Sequence, residues 1–319
     1  MTLVTLDDIR KAAAGMAGVA IRTPLVEVPE LSRIAGAPVY LKQEHKQPTG
    51  AFKLRGAWTA VSRLDPAVRS RGVITYSSGN HGQAVAFAAQ RHGVRGVIVM
   101  PETTSKAKID GVKKWGGEAV FAGTTSEHRL TKAQELAAKD QLAIIPPFDD
   151  PDIIAGQGTV GLEILEQLPE VAHVAVPVGG GGLAAGITTA LLAMRPGIKI
   201  WAVEPEGAAG YHAAVAAGKP VRLATSGSIA DGLMPLSVGT LTFEHLFRRA
   251  EPVTVSDEAI IEATQWLYYS QGLAVEPSGA ATTAALRAGR FKVSGPTVLV
   301  VSGGNIDAAR IPTLGRPAR

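Results

Sequence analysis

Short runs that are apolar at every position recur along this chain, and each is followed by a segment with helical periodicity. Val97-Ile98-Val99-Met100, Val174-Ala175-Val176-Pro177-Val178 and Val298-Leu299-Val300-Val301 are the clearest of them. A strand with apolar residues at both odd and even positions must be covered on both faces. Amphipathic segments of about ten residues lie between the runs and supply the cover: Gln83 to His92, Lys106 to Trp115, Ser126 to Asp140, Gly158 to Leu168 and Leu183 to Met194. Strand and helix alternating in this way define an α/β fold with mainly parallel sheets. The alternation falls into two runs. We therefore expect two three-layer domains, the larger from residues 1–66 and 148–319 and the smaller from 67–147. Residues 206–230 are rich in Gly and Ala and poorly patterned, and read as a ligand-facing loop.

Composition removes several classes of function. The chain has 319 residues, 46% of them hydrophobic and 19% charged, which suits a globular protein with a sizeable core. Lys and Arg number 32 against 28 Asp and Glu, a net +4 that is too balanced for a nucleic-acid surface. With no cysteine, disulfides, thiolate metal sites and cysteine nucleophiles are excluded. No apolar run reaches the ~18 residues of a membrane span, and Met1 to Asp8 lacks a secretory leader. A cytoplasmic enzyme acting on a small molecule, without nucleic-acid or membrane partners, is the expectation.

Four segments carry chemistry. In Thr49-Gly50-Ala51-Phe52-Lys53-Leu54-Arg55-Gly56 a lysine between two large apolar residues follows a turn and opens a helix. Lysine is usually solvated. A buried one loses proton affinity and becomes a nucleophilic amine able to form a Schiff base. Gly179-Gly180-Gly181-Gly182 lies between a strand and a helix, where converging backbone N–H groups and the helix dipole favour a phosphate. A rival reading takes Gly180, Gly182 and Ala185 as a dinucleotide fingerprint with Glu204 at the end of the next strand. It leaves the other segments unexplained. Ser77-Ser78-Gly79-Asn80-His81-Gly82-Gln83 also joins strand to helix and has more polar groups than one helix cap needs, which fits a carboxylate- or cofactor-binding loop. Ser302, in Ser302-Gly303-Gly304-Asn305 after the last strand, can face an acceptor nitrogen or simply turn the chain. Glu276 opens a helix or supports the site from behind. The histidines show no metal or Ser-His-Asp spacing.

Taken together and in this order, these segments resemble the fold-type II pyridoxal-phosphate (PLP) enzymes, a tryptophan synthase β-like fold, and within them the threonine/serine dehydratase and serine racemase group. The resemblance runs from about Arg22 to Asn305. It implies that Lys53 holds PLP as a Schiff base and serves as the base at the substrate Cα, with Phe52 packed beside the cofactor. Asn80 would bond the ring hydroxyl, Gly179, Gly180, Gly181 and Gly182 the phosphate, and Ser302 the pyridine nitrogen. Ser77, Ser78, Gly79, Asn80 and His81 would bind the substrate, with Ser78 on the face opposite Lys53. A neutral hydroxyl at the ring nitrogen makes a weaker electron sink than an acid and suits β-elimination. In domain terms, the larger unit binds PLP and the smaller carries the substrate loop.

Three departures from the family pattern stand out. Ala51 replaces the usual serine before Phe52, Glu44-His45-Lys46-Gln47-Pro48 is unusual, and position 210 is glycine where the family's divalent-cation site has an acid. A cation site would then rest on Glu204 and the Ala208 carbonyl, as a weaker or monovalent one. The chain ends soon after Asn305, which leaves no room for the regulatory domain of biosynthetic threonine dehydratases. The expected activity is dehydration and deamination of a β-hydroxy-α-amino acid to a 2-oxo acid and ammonia by a homodimer or higher homo-oligomer. The alternatives are a serine or aspartate racemase, a hydroxyaspartate or hydroxyectoine-pathway dehydratase, a nicotinamide dehydrogenase, and a cofactor storage or sensor protein. If Leu233, Met234 and Leu236 line the pocket, an apolar β-substituent such as that of phenylserine is favoured. Arg129 reads as a distal anchor for an acidic group or as a solvated helix residue.

Overall fold

The strands divide between two sheets. The computed structural model describes residues 2–77 and 79–315. In chain order its elements are α1 (Leu6–Ala14), β1 (Leu25–Glu27), α2 (Pro29–Ala35), β2 (Val39–Gln43), α3 (Lys53–Arg63), α4 (Pro66–Arg69), β3 (Val73–Thr75), α5 (Asn80–Arg91), β4 (Gly96–Met100), α6 (Lys106–Lys114), β5 (Glu118–Phe121) and α7 (Ser126–Asp140). They continue as β6 (Ala143–Ile144), α8 (Pro151–Gln167), β7 (His173–Pro177), α9 (Gly182–Met194), β8 (Lys199–Pro205), α10 (Gly210–Ala217), α11 (Thr240–Leu246), β9 (Ala250–Val255), α12 (Asp257–Gln271), α13 (Pro277–Arg287) and β10 (Thr297–Val301).

The larger sheet has the order β1-β2-β10-β7-β8-β9 and is parallel except for the antiparallel edge strand β1. The smaller sheet, β5-β4-β3-β6, is parallel throughout. The fully apolar runs are buried on both faces as their composition demands. In β10, Val298 and Val300 join the cluster under α8 and α9, while Leu299 and Val301 join the one under α12 and α13. The smaller sheet alternates in the same way, with Val73, Ile98 and Met100 facing α5 and Ile74, Val97 and Val99 facing α7. Both sheets are thus the middle of three layers.

Helix α3 belongs to neither sheet alone. Ala57, Ala60 and Val61 join the core cluster of the smaller sheet, together with Ile153 of α8. On its other side α3 meets α8 so closely that a Cβ on Gly156 would lie 2.6 Å from the Arg55 carbonyl and 2.7 Å from the Gly56 Cα. Lys53 therefore starts a helix wedged between the two halves.

Two helices begin earlier than their sequence pattern suggests. Helix α8 starts at Pro151 rather than Gly158, because the Asp150 carboxylate accepts from the N–H groups of Asp152 (2.9 Å) and Ile153 (3.1 Å) and Pro151 suits the first turn. Its glycines, Gly156, Gly158 and Gly161, serve close packing and do not break it. Helix α5 starts at Asn80 rather than Gln83, so Asn80 and His81 sit in a first helical turn and not in a loop. Residues 206–230, read as a loop, contain α10.

Candidate active site

Lys53 is the first residue of α3, which follows β2, the strand between the edge strand β1 and β10. Between β2 and α3 the chain is tied to the segment after β10. Phe52 N–H donates to the Ser302 carbonyl (3.0 Å), Gly304 N–H donates to the Gly50 carbonyl (2.9 Å), and Ala51 pairs with Gly303. The Lys53 side chain is half-buried. Its Nζ donates to the Pro147 carbonyl at 2.5 Å and stands 5.2 Å from the Phe52 ring centroid. Among the described residues no carboxylate pairs with it. Desolvation acts unopposed and lowers the amine from 10.5 to about 8.

Beneath α3 lies a buried ionic network. The Arg55 guanidinium bonds both Glu44 oxygens (2.8 Å each) and Glu163 (2.7 Å), and Lys42 Nζ bonds Glu163 (2.5 Å), the Thr23 carbonyl (2.9 Å) and Gln167 (2.8 Å). Burial opposes ionisation of Glu44, but the Arg55 charge and hydrogen bonds outweigh it and hold the carboxyl below the usual range. Both carboxylates of this network are thus taken up by Arg55 and Lys42.

The tetraglycine segment leaves the carboxyl end of β7 and opens α9. Among the described residues the N–H groups of Gly179, Gly180, Gly181 and Gly182 find no protein acceptor. The segment cannot carry side chains. A Cβ on Gly180 would lie 2.2 Å from Phe148 ring carbons, and Gly181 has φ +95° with Thr242 Oγ1 2.8 Å from where its Cβ would be. Pro147 and Phe148 therefore join the two halves of the site. The carbonyl of one receives Lys53, and the ring of the other lies on the glycines. Neither Pro147 nor Phe148 is among the residues that the sequence pattern singles out. A short apolar residue pair leaving the carboxyl end of a parallel strand was the available signal.

Asn80 is held at both ends of its amide. Its Nδ2 donates to Glu276 Oε1 (2.6 Å), and its Oδ1 accepts from Asn305 Nδ2 (2.7 Å). Burial raises the Glu276 carboxyl to about 7, with the Asp231 charge adding to the effect and the Asn80 hydrogen bond and the Lys108 charge opposing it. Ser302 is buried, and among the described residues its hydroxyl makes no hydrogen bond to the protein. Gly79 precedes α5, whose first N–H groups at Asn80, His81 and Gly82 are also free of backbone partners. Ser77 stands just before this turn, half-buried.

Several expectations need correcting. The His81 ring is turned inward and is only 1% exposed, with Nε2 on the Ile145 carbonyl at 3.1 Å. Burial and then the Lys53 charge lower it to about 3, so it stays neutral, and only its backbone N–H is left for a substrate carboxylate. Glu204 is fully buried and caps α10, accepting from Tyr211 N–H (2.7 Å) and His212 N–H (2.8 Å). Both of its oxygens are thus engaged, and Ala208 beside it is buried in a 3-10 turn. Among the described residues no group of three His, Cys, Asp or Glu side chains is placed to hold a metal ion. The donor set does not fit a divalent cation. Nor is Glu204 free to meet a ribose, as the dinucleotide reading requires. Leu233 is a core residue of the α12–α13 layer and not pocket wall, and Met234 Sδ accepts from Ser228 N–H at 3.2 Å. Arg129 Nε donates to the Tyr76 carbonyl at 3.2 Å, just before the Ser77 loop, and Nη2 to Ser126 at 2.8 Å. Ser78 lies outside the described residues.

These residues fit PLP. An amine of lowered basicity, a cradle of free N–H groups at a helix N-terminus, a buried unpartnered hydroxyl and an amide held from behind match an aldehyde, a phosphate, a pyridine nitrogen and a ring hydroxyl. A family model described as pyridoxal-phosphate dependent enzyme matches residues 17–303, and the chain belongs to that family, with the fold-type II architecture. It is 38% identical to the L-threonine ammonia-lyase of Thermotoga maritima over 311 residues, covering 97% of this chain and 77% of that one. It is 38% identical to a serine racemase of Oryza sativa, covering 95% of this chain and 91% of that protein. The solved structure of maize serine racemase superposes with a TM-score of 0.94 at 36% identity, covering 98% and 97% of the two chains. The chain is a PLP-dependent enzyme.

Proposed function

We propose that this enzyme is a dehydratase of the threonine/serine ammonia-lyase type, converting a small β-hydroxy-α-amino acid to a 2-oxo acid and ammonia. One observation carries the reading. The Lys53 amine, lowered to about 8, has no acid partner among the described residues, and it bonds the Pro147 carbonyl next to Phe148, whose ring lies against the glycine cradle. When bound, PLP supplies the electron sink that acidifies the substrate Cα–H. The chain's own part follows from the geometry. The Gly179–Gly182 N–H groups hold a phosphate dianion, and the first turn of α5 holds the substrate carboxylate. Lys53 Nζ, poised near neutrality, takes up the Cα proton. A proton must then reach the departing hydroxyl, and a phosphate held in the glycine cradle would supply an acid–base group for it.

The relatives support threonine and serine as substrates, and nothing supports the bulky apolar substituent. Leu233, one of the residues that favoured it, is packed into the core. Racemisation is the second reading. It is supported by the likeness to serine racemases and needs an acid such as Ser78 on the second face. Incubating the PLP-loaded enzyme with L-threonine, L-serine and 3-hydroxyaspartate, then measuring 2-oxo acid and the chirality of recovered substrate, separates the two. Racemised substrate without 2-oxo acid would sink the dehydratase. Replacing Lys53 by Ala should end ammonia release together with the visible cofactor absorbance.

A further inference from the structure

The Asn80 amide has one acceptor oxygen and two donor hydrogens. Which end points where is decided by Asn305. Its Nδ2 donates one hydrogen to the Thr49 carbonyl at 2.9 Å and the other to Asn80 Oδ1 at 2.7 Å. A backbone carbonyl can only accept, so the Asn305 nitrogen is fixed there, and the Asn80 oxygen must turn toward it. Asn80 Nδ2 then faces Glu276 Oε1 at 2.6 Å and spends one hydrogen on it. One N–H remains. Packing leaves the group little freedom. A Cβ on Gly303 would lie 2.3 Å from Glu276 Oε1 and 3.0 Å from Asn80 Nδ2. A Cβ on Gly50, whose φ is +74°, would lie 2.1 Å from Asn305 Oδ1. The same Asn305 side chain thus braces the turn that delivers Lys53 and the amide beside the cofactor.

We propose that Asn305 and Glu276 are positioning residues that lock the Asn80 amide with its N–H, not its oxygen, toward the ring oxygen of PLP, and so keep that oxygen in its anionic form. The inference rests on PLP being held here with Asn80 at its ring oxygen, but not on which amino acid is turned over. A donor stabilises an oxyanion, and an acceptor in its place would favour the protonated hydroxyl. The anionic form absorbs in the visible and the protonated form in the near ultraviolet, so the orientation of the amide can be read from the colour of the resting enzyme.

The test uses the PLP-loaded protein with no amino acid added. Asn305→Asp sets an acceptor against Asn80 Oδ1 and turns the amide over. At saturating PLP the visible to near-ultraviolet band ratio should fall about tenfold, the equivalent of ~1.4 kcal/mol. Asn305→Ala removes the brace without reversing it and should shift the ratio the same way by a smaller factor. It decides the matter if the Asp variant does not fold. An unchanged ratio at saturation in the folded variants, even with weakened PLP binding, means a merely structural role and overturns the proposal. So does a wild-type enzyme with no dominant visible band. A shifted spectrum in an enzyme that releases no 2-oxo acid leaves the clamp standing and removes the dehydratase. Turnover with unshifted spectra does the reverse.

Discussion

Replacing Lys53 by Met should stabilise the PLP-free protein at neutral pH and destabilise it in strong alkali. Burial lowers the amine from 10.5 to about 8. At 1.36 kcal/mol per pKa unit this gap penalises the charged form by up to about 3.4 kcal/mol, an upper bound because the side chain is only half-buried. Between pH 8 and 10.5 the unfolded chain binds the proton that the folded chain has released, so stability rises with pH across that window. The penalty is complete below 8, falls to about 2 kcal/mol at pH 9 and about 1 kcal/mol at pH 10, and vanishes above 10.5. Methionine fills a similar volume and carries no charge, but it leaves the Pro147 carbonyl without its donor, at a cost of ~1–2 kcal/mol. The two effects oppose each other. The Met variant should be more stable by about 1–2 kcal/mol at pH 7, equal to wild type between about pH 9 and 10, and less stable beyond. Urea unfolding of both proteins without PLP at pH 7, 9 and 10 reads the difference directly. A difference that does not change with pH, or a Met variant already weaker at pH 7, would refute the claim that burial lowers the proton affinity of the amine.

Two further substitutions probe the scaffold around that amine. Gly180→Ala would bring a Cβ to 2.2 Å from the Phe148 ring. The loop must shift to admit it, and PLP affinity should fall about tenfold or more, the worth of one hydrogen bond to an anion; a fluorescence titration with unchanged affinity would show that the cradle lies elsewhere. Arg55→Ala leaves Glu44 fully buried without its bidentate partner and should cost ~3–5 kcal/mol in urea unfolding. A loss below ~1 kcal/mol would mean that the network relaxes at little cost.

The apolar runs made the sheets legible because a strand buried on two faces has no polar position to spare. Val298 to Val301 divides its side chains between two core layers. The glycine tract and Lys53 were legible for a similar reason, since close backbone approach and a turn before a lysine leave few alternatives. Residues whose role depends on partners far along the chain were not legible. Glu276 meets Asn80 across 196 positions, and Asn305 meets Thr49 across 256. Nothing local to Pro147-Phe148 says that a carbonyl there receives an amine 94 residues earlier. Glu204 misled because the end of a parallel strand is a common place for a ligand-binding acid. The structure puts a helix N-terminus there instead, and two backbone N–H groups satisfy the carboxylate.

Two lysines near α3 show why only one is reactive. Lys42 and Lys53 both lose proton affinity to burial. At Lys42 the charges of Glu163 and Glu44 pull in the other direction, and its Nζ has three oxygen partners, one of them a carboxylate. Such an amine is tied into the scaffold by its partners. Lys53 has one neutral carbonyl. Arg55, two residues on, faces away from Lys53 on the helix and with Lys42 occupies the carboxylates of Glu44 and Glu163. The two lysines thus divide by their partners: Lys42 is tied into the ionic network, and Lys53, with desolvation alone acting on it, is left with lowered proton affinity.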